Sequence, residues 1–400
     1  MTLRTALVLS GGGARGAYEA GVLQGLVEAL GLRAGDSAPF CVFSGTSVGA
    51  LNAAFLAGQL DRGDMGADAL AQMWCTTPSM RQMVRPDFRG IATLLGLSGG
   101  LRAGRGRMPS MLDPGPVARI IEGEVPWAGV QRHCDSGLLQ ALIVPALHVG
   151  TGRTHVFVQR GAGQKPLNNH NDRLSIKDCV IGPDHVRASS AMPLVFPPHL
   201  VSGAHYVDGG VRLNTPIAPA LRAGVDRLVV VSLHRESRRD AVQKNEAAYA
   251  NPLYLAGRLL DALLVDGMQG DLHMVARLNQ LLADVEGALS PEMAQRFHDI
   301  VALRRRGERY RPAKVLVLQP PEDRGPAEEA TRFLQSAESK VALGWRWHRA
   351  LKLMARGDFH ALGGLASYLL FDRGYTRRLV ALGQETARRH RDEIKAFFAQ

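Results

Sequence analysis

Ser47 stands in Gly45-Thr46-Ser47-Val48-Gly49, a GxSxG spacing between an apolar run at 40–43 and a small, apolar stretch at 48–60. Small residues on both sides permit a sharp strand-to-helix turn that lifts the serine hydroxyl off the end of a strand, where it can attack a carbonyl. The same position also suits a helix N-cap, a frequent role for serine. The chain carries its own decoy. Ser98, in Gly96-Leu97-Ser98-Gly99-Gly100, has the spacing too, but the Leu101-Arg102-Ala103-Gly104-Arg105-Gly106-Arg107 that follows cannot open a buried helix. A serine needs a neighbouring base. His199, His205 and His234 are available without a distinctive setting, whereas Asp208 stands in Tyr206-Val207-Asp208-Gly209-Gly210, just after a strand-like segment. On its own, Asp-Gly-Gly reads as an ordinary turn before it reads as a catalytic site.

A third group has no side-chain chemistry of its own. Gly11-Gly12-Gly13-Ala14-Arg15-Gly16 follows a short apolar run and precedes a helical pattern. Backbone N–H groups at such a turn hold a dinucleotide pyrophosphate, or the oxyanion of an acyl-transfer transition state, or nothing at all. The nucleotide reading wants an acid at the end of the second strand. Asp36 precedes that strand, and the strand's end is occupied by Gly45-Thr46-Ser47.

The elements that must position these groups alternate. Residues 6–9 read as a buried strand and 17–30 as a helix with Val22, Leu23, Leu26, Val27 and Leu30 on one face. Then come a strand at 40–43 and a helix at 48–60. Strands follow at 142–149, 154–158, 227–233 and 314–318, with a helix at 216–223. This alternation predicts an α/β fold on a mainly parallel sheet. Residues 75–130, with several Gly, Pro and Arg, read as an irregular insertion, and 236–311 as a Leu- and Ala-rich helical one. From 326 the pattern is helical and basic. The domain expectation is a catalytic unit over 1–325 and a helical extension over 326–400.

Composition narrows the classes. A chain of 400 residues that is 46% hydrophobic can bury a large core. Its net charge of +11 favours an anionic partner such as phospholipid, nucleic acid or an acidic substrate. No basic–aromatic nucleic-acid motif accompanies that charge, so no nucleic-acid partner is expected. Cys41, Cys75, Cys134 and Cys179 lie far apart without a CxxC pair, and no HExxH occurs, so neither a disulfide framework nor a metal is expected. The apolar stretch at 6–9 is far too short for a signal peptide, and no apolar run approaches the ~18 residues of a membrane span. A cytoplasmic protein, peripheral on membranes at most, is the expectation. Nothing in the sequence sets an oligomeric state.

Taken in order, the motifs resemble the patatin-like phospholipases over roughly residues 5–235. Gly11 to Gly16 with Ala17-Tyr18-Glu19-Ala20-Gly21-Val22-Leu23 is similar to that family's oxyanion signature. Gly45 to Gly49 with the Ala50-Leu51-Asn52-Ala53-Ala54 that follows is similar to its nucleophile elbow. The segment from Arg187 through Ser189 and Pro193 to Pro198 matches its Ala-Ser-x-x-x-Pro stretch, and Tyr206 to Gly210 with Asn214 and Pro216 matches the block that carries its second catalytic residue. The resemblance implies a three-layer α/β/α fold and a Ser47–Asp208 dyad without histidine. It also implies an oxyanion hole made by the N–H groups of Gly11, Gly12 and Gly13, with Val48 N–H as a further donor. Gly16, Gly45, Gly49, Gly209 and Gly210 would support these turns, and Arg15 would orient the loop or meet a headgroup phosphate. The implied substrate is a lipid acyl ester, hydrolysed without cofactor or metal; an acyltransferase or thioesterase would use the same acyl-serine. A nucleotide-dependent oxidoreductase using Gly11 to Gly16 is the distant alternative. Two further expectations concern membranes. Residues 75–115, apolar with Arg102, Arg105 and Arg107, suit a lid or a packed insertion, and the Arg-rich helix near 377–398 suits packing on its own domain more than lying on a bilayer.

Overall fold

The computed structural model describes residues 3–33, 35–76, 110–167, 174–234, 268–304, 312–340 and 359–399, with Asp87, Leu255 and Leu259. Ser98, Arg102, Arg105, Arg107 and most of the expected lid lie outside the described residues.

Among the described residues nine strands form one sheet. β1 (Thr5–Leu9), β2 (Val42–Gly45), β3 (Ala141–His148), β8 (Arg227–Val231) and β9 (Lys314–Leu318) are its parallel centre. β4 (Thr154–Arg160) runs antiparallel to β3 and carries β5 (Leu174–Asp178) on its far side, giving the order β5-β4-β3-β2-β1-β8-β9. A hairpin of β6 (His199–Val201) and β7 (Ala204–Asp208) pairs with the C-terminal end of β3.

The central strands are buried on both faces, which is why they read as unbroken apolar runs. Their side chains alternate between two cores. Leu7, Leu9, Phe43, Leu142 and Val229 face one layer, built from α1 (Gly16–Leu30), α2 (Val48–Ala57) and α3 (Ala67–Thr76). Ala6, Val8, Val42, Ile143 and Val230 face the other, which holds α7 (Ile217–Arg222) and α8 (Met268–Ala288). The fold is therefore the three-layer α/β/α arrangement. β2 begins two residues later than the apolar run suggests, so that Gly45 closes the strand and Ser47 sits one residue beyond Thr46, at the start of α2.

Two stretches depart from expectation. Within the segment read as irregular, α4 (Gly115–Glu124) and α5 (Trp127–Ser136) are regular helices. Pro114, Pro116 and Pro126 sit at their starts, where a missing N–H costs nothing, so residues read as breakers are helix starters. β5 and the β6–β7 hairpin are too short and too weakly alternating to have been predicted in full. Of the helical insertion, α8 and α9 (Pro291–Arg304) are described.

The C-terminal helices are α10 (Pro326–Gln335), α11 (Phe359–Leu369), α12 (Arg373–Arg389) and α13 (Arg391–Phe398). They share the core of the sheet: Phe333, Tyr375, Leu379, Leu382 and Ile394 are buried in the same cluster as Leu7 and Phe43. α12 lies against α1 with backbones nearly touching, since a Cβ at Gly21 would fall 2.0 Å from Val380 O and one at Gly383 would fall 2.2 Å from Tyr18 O. The stripe of Leu379, Leu382 and Ile394 is thus a packing face. Among the described residues no helix is long and apolar enough to cross a membrane. α6 (Pro183–Ser189) completes the elements around the site.

Candidate active site

The C-terminal ends of β1, β2 and β7 meet at one edge of the sheet and bring together the glycine loop, Ser47 and Asp208. Ser47 has φ 55° and ψ −123°, a conformation that costs a non-glycine residue about 1–3 kcal/mol and persists only where its surroundings fix it. Those surroundings are specific. Ser47 N–H donates to Ser189 Oγ at 3.0 Å, and Ser189 Oγ–H donates to Pro145 O at 2.6 Å. Thr46 Oγ1–H donates to Leu213 O at 2.8 Å. Only glycine fits on either side: a Cβ at Gly45 would lie 2.1 Å from Gly49 O, and one at Gly49 would lie 2.5 Å from Leu9 O. The Ser47 side chain makes no capping hydrogen bond to α2, so the N-cap alternative does not describe it.

Asp208 ends β7, opposite Ala146 of β3, and its N–H donates to Ala191 O at 2.9 Å. Gly209 and Gly210 continue into a 3-10 turn, with Gly210 N–H donating to Asp208 Oδ1 at 2.7 Å. A side chain at Gly209 would strike Pro145 O. The carboxyl is wholly buried. Burial pushes its pKa from 3.8 up to about 6, against the Ser47 hydroxyl and the Gly210 N–H, which favour the charged form. Oδ2 is buried and makes no hydrogen bond of good geometry. The Ser47 hydroxyl is thus near enough to favour the charged form of this carboxyl.

The three sequence-predicted histidines are occupied elsewhere. His199 bonds Asp184 at 2.9 Å, His205 is exposed on β7, and His234 is half-buried behind the glycine loop. There His234 Nε2 takes hydrogen bonds from Tyr368 Oη, at 2.8 Å, and from the Arg15 guanidinium. Burial and the Arg15 charge hold its pKa well below the usual histidine value, so it is a neutral acceptor.

In the glycine loop, Gly11 N–H donates to Asn214 O at 3.1 Å, and Asn214 Nδ2 returns a bond to Gly11 O at 3.2 Å. Among the described residues neither Gly12 N–H nor Gly13 N–H is paired with another main-chain group. Gly13 has φ +58° and lies against Tyr368 O, which an added Cβ would approach to 2.2 Å. Arg15 is buried; it donates to Ser367 Oγ at 2.9 Å and lies 3.7 Å over the Tyr368 ring. It anchors the loop to α11.

Ser47 and Gly13 line an apolar cleft. One wall is Leu51 and Trp74, a second is Val117 and Ile121 of α4, and a third is Met192 and Phe196. Tyr368, Leu369 and Phe371 close it, with the Phe371 ring stacked on Trp74 at 6.4 Å between centroids. Trp74 is held in turn: its Nε1 donates to Asn52 Oδ1 at 3.0 Å, and Asn52 Nδ2 donates to the buried Glu19 carboxyl at 2.8 Å. Sequence reasoning missed the roles of Ser189 and Asn214, which lay inside quoted motifs but carry no local sign of their partners. It missed Tyr368, Leu369 and Phe371 altogether. Among the described residues no three metal-ligating side chains converge.

A mostly parallel sheet under helices, with a serine on a strained strand-to-helix turn beside a buried carboxyl, defines the class: an α/β protein with the patatin-like arrangement. The family model described as "Patatin-like phospholipase" matches residues 7–221, over half of the chain, and the chain belongs to that family. Membership implies lipid acyl hydrolase chemistry. No curated protein matches the sequence. Among solved structures, VipD from Legionella pneumophila is similar at 14% identity, with 95% of this chain and 67% of that chain covered and a TM-score of 0.30, a likeness that carries no argument.

Proposed function

We propose that the protein hydrolyses lipid acyl esters of the phospholipase A or lysophospholipase type through a Ser47–Asp208 dyad. Ser47 Oγ attacks the ester carbonyl while its proton passes to Asp208 Oδ2. The carbonyl oxygen becomes an oxyanion facing the Gly12 and Gly13 N–H groups, with Val48 N–H at the start of α2 as a further donor. The Gly11 N–H, bonded to Asn214 O, acts as the fixed end of that loop. Collapse of the tetrahedral intermediate breaks the ester C–O bond, and Asp208 returns the proton to the leaving alcohol. Water then attacks the acyl-serine with Asp208 again taking a proton, which releases the fatty acid and restores Ser47.

The observation that carries this reading is Asp208 itself. A buried carboxyl with an unpaired oxygen beside a strained serine is costly for the fold. A pKa near 6 also corrects the main weakness of a carboxylate base, whose ordinary value near 4 gives little drive for proton abstraction at neutral pH. The apolar cleft at Ser47 supports an acyl chain as the buried part of the substrate, and Arg15, committed to α11, supports loop anchoring over headgroup binding. We also infer that residues 359–399 work as part of the catalytic body, because Tyr368 backs the glycine loop and Phe371 walls the cleft.

The test is covalent labelling with a fluorophosphonate. Wild type should label, Ser47→Ala should not, and Asp208→Asn should label far more slowly. Labelling that survives Ser47→Ala sinks the reading. Product analysis with an added alcohol separates hydrolysis from acyl transfer.

A further inference from the structure

Residues 192–198, Met-Pro-Leu-Val-Phe-Pro-Pro, are seven consecutive apolar residues of which none is buried. An ordinary surface loop is polar, and a run of this kind marks a contact surface. Its tip is Leu194, 66% exposed and held at φ 69°, in the left-handed region that a branched apolar side chain avoids. Beside it is Met111, 47% exposed, whose N–H donates to Leu194 O at 2.9 Å. Leu112 N–H donates to Val195 O at 2.9 Å and fixes the second strand of this lip. Three prolines stiffen it.

The lip is continuous with the cleft. Met192 and Phe196 on either side of the tip line the cavity that holds Ser47, while Leu194 points away from it into solvent. The same seven residues contain no charge; of the acids around them, Asp113 stands two residues beyond Met111, Asp87 N–H donates to Met111 O at 2.9 Å, and Asp184 pairs with Arg187 at 3.6 Å. A convex, stiff, apolar edge at the mouth of a cleft, on a chain of net charge +11, fits an anionic lipid surface.

We propose that the 192–198 lip, with Leu194 and Met111 at its crest, inserts into the outer acyl region of an anionic phospholipid surface and sets the cleft mouth against it. The proposal takes its substrate side from the acyl-ester reading above. The strained Leu194 aims an apolar side chain outward, where it gains nothing until a lipid phase covers it. A chain leaving the bilayer would then pass along Met192 and Phe196 to Ser47 without crossing water.

The experiment measures partition onto vesicles of equimolar phosphatidylcholine and phosphatidylglycerol for wild type, Leu194→Glu and Leu194→Gly. Leu194→Gly relieves the positive φ, so it should fold at least as well as wild type while losing the apolar tip. Burying a leucine is worth enough to predict about tenfold or greater weakening of partition in both variants. The ratio to wild type should persist at about 0.5 M salt, where long-range charge attraction is screened. Hydrolysis of a short, soluble ester should be unchanged, because Leu194 does not line the cleft. Unchanged partition in both variants would overturn the proposal and assign the lip to a protein partner. A loss that disappears in high salt would also overturn it, since charge alone would then hold the protein. Partition needs no turnover, so a protein that cleaves no ester would refute the functional reading without deciding the lip.

Discussion

Replacing Asp208 with asparagine should make the protein more stable, and the gain should depend on pH. The native carboxyl titrates at about 6 and the unfolded one at about 3.8, because burial penalises the charge. Between those values the native state binds a proton that the unfolded chain has released. Stability is therefore fully present below about pH 4, falls as pH rises through about 6, and stays reduced above. The gap corresponds to about 3 kcal/mol at pH 8 and to about half of that at pH 5. Asparagine keeps an acceptor for the Gly210 N–H and offers Ser47 an amide donor, so little else should change. For a chain of 400 residues, an unfolding entropy of about 2.1 cal/mol/K per residue converts those energies into a Tm rise of about 3.5 °C at pH 8 and about 2 °C at pH 5. Differential scanning calorimetry of wild type and Asp208→Asn across pH 5–8 measures both. A variant less stable than wild type at pH 8, or a gain that does not vary with pH, would refute the reasoning, because the carboxylate would then not be held against burial.

Three further outcomes follow from the same geometry. Turnover of a soluble ester should fall as pH drops through about 6, when Asp208 protonates, and a pH–rate profile flat from 5 to 8 would contradict its role as base. Phe371→Ala opens the cleft beside Trp74 and should move the preferred acyl chain to longer esters, with kcat/KM for the longest rising relative to the shortest; a uniform loss across chain lengths would deny it a place in the chain-binding wall. Glu19 is buried, and burial raises its pKa well above the usual carboxylate value despite the Asn52 hydrogen bond. Burial thus favours its uncharged form, so Glu19→Gln should change Tm by less than about 2 °C, whereas Glu19→Leu, which removes one of the two acceptors of Asn52 Nδ2, should cost about 1–3 kcal/mol.

How much of this was legible depends on where each partner lies in the chain. The Ser47 turn could be read because strand, turn and helix are adjacent, and sterics alone select Gly45 and Gly49. The glycine loop could be found but not interpreted from its own residues: its N–H groups acquire meaning from Ser47 on the neighbouring strand and from Asn214, far along the chain. Asp208 was weaker still. Its burial arises from β7 pairing with β3, and nothing in Asp-Gly-Gly announces that a hairpin will press it against the sheet. The prolines at 114 and 126 misled because the same residue breaks a helix from within and opens one at its start. The least legible part was the C-terminal wall. Tyr368 and Phe371 lie in an ordinary apolar helical pattern, and only tertiary packing turns one into the backing of Gly13 and the other into a face of the cleft.

The bond between Arg15 and Ser367 joins residues 352 positions apart. During synthesis at about 5–20 residues per second, the glycine loop would leave the ribosome about 20–70 s before the helix that braces it. Sheet strands and the elbow can form meanwhile, but Gly13 would lack Tyr368 against it, and Arg15 would lack its ring and its hydroxyl partner. The growing chain thus carries an unbraced glycine loop until α11 has been made. An ester hydrolase that attacked lipids while still tethered to the ribosome would be a hazard to the cell making it, and on the proposed mechanism activity would wait for α11.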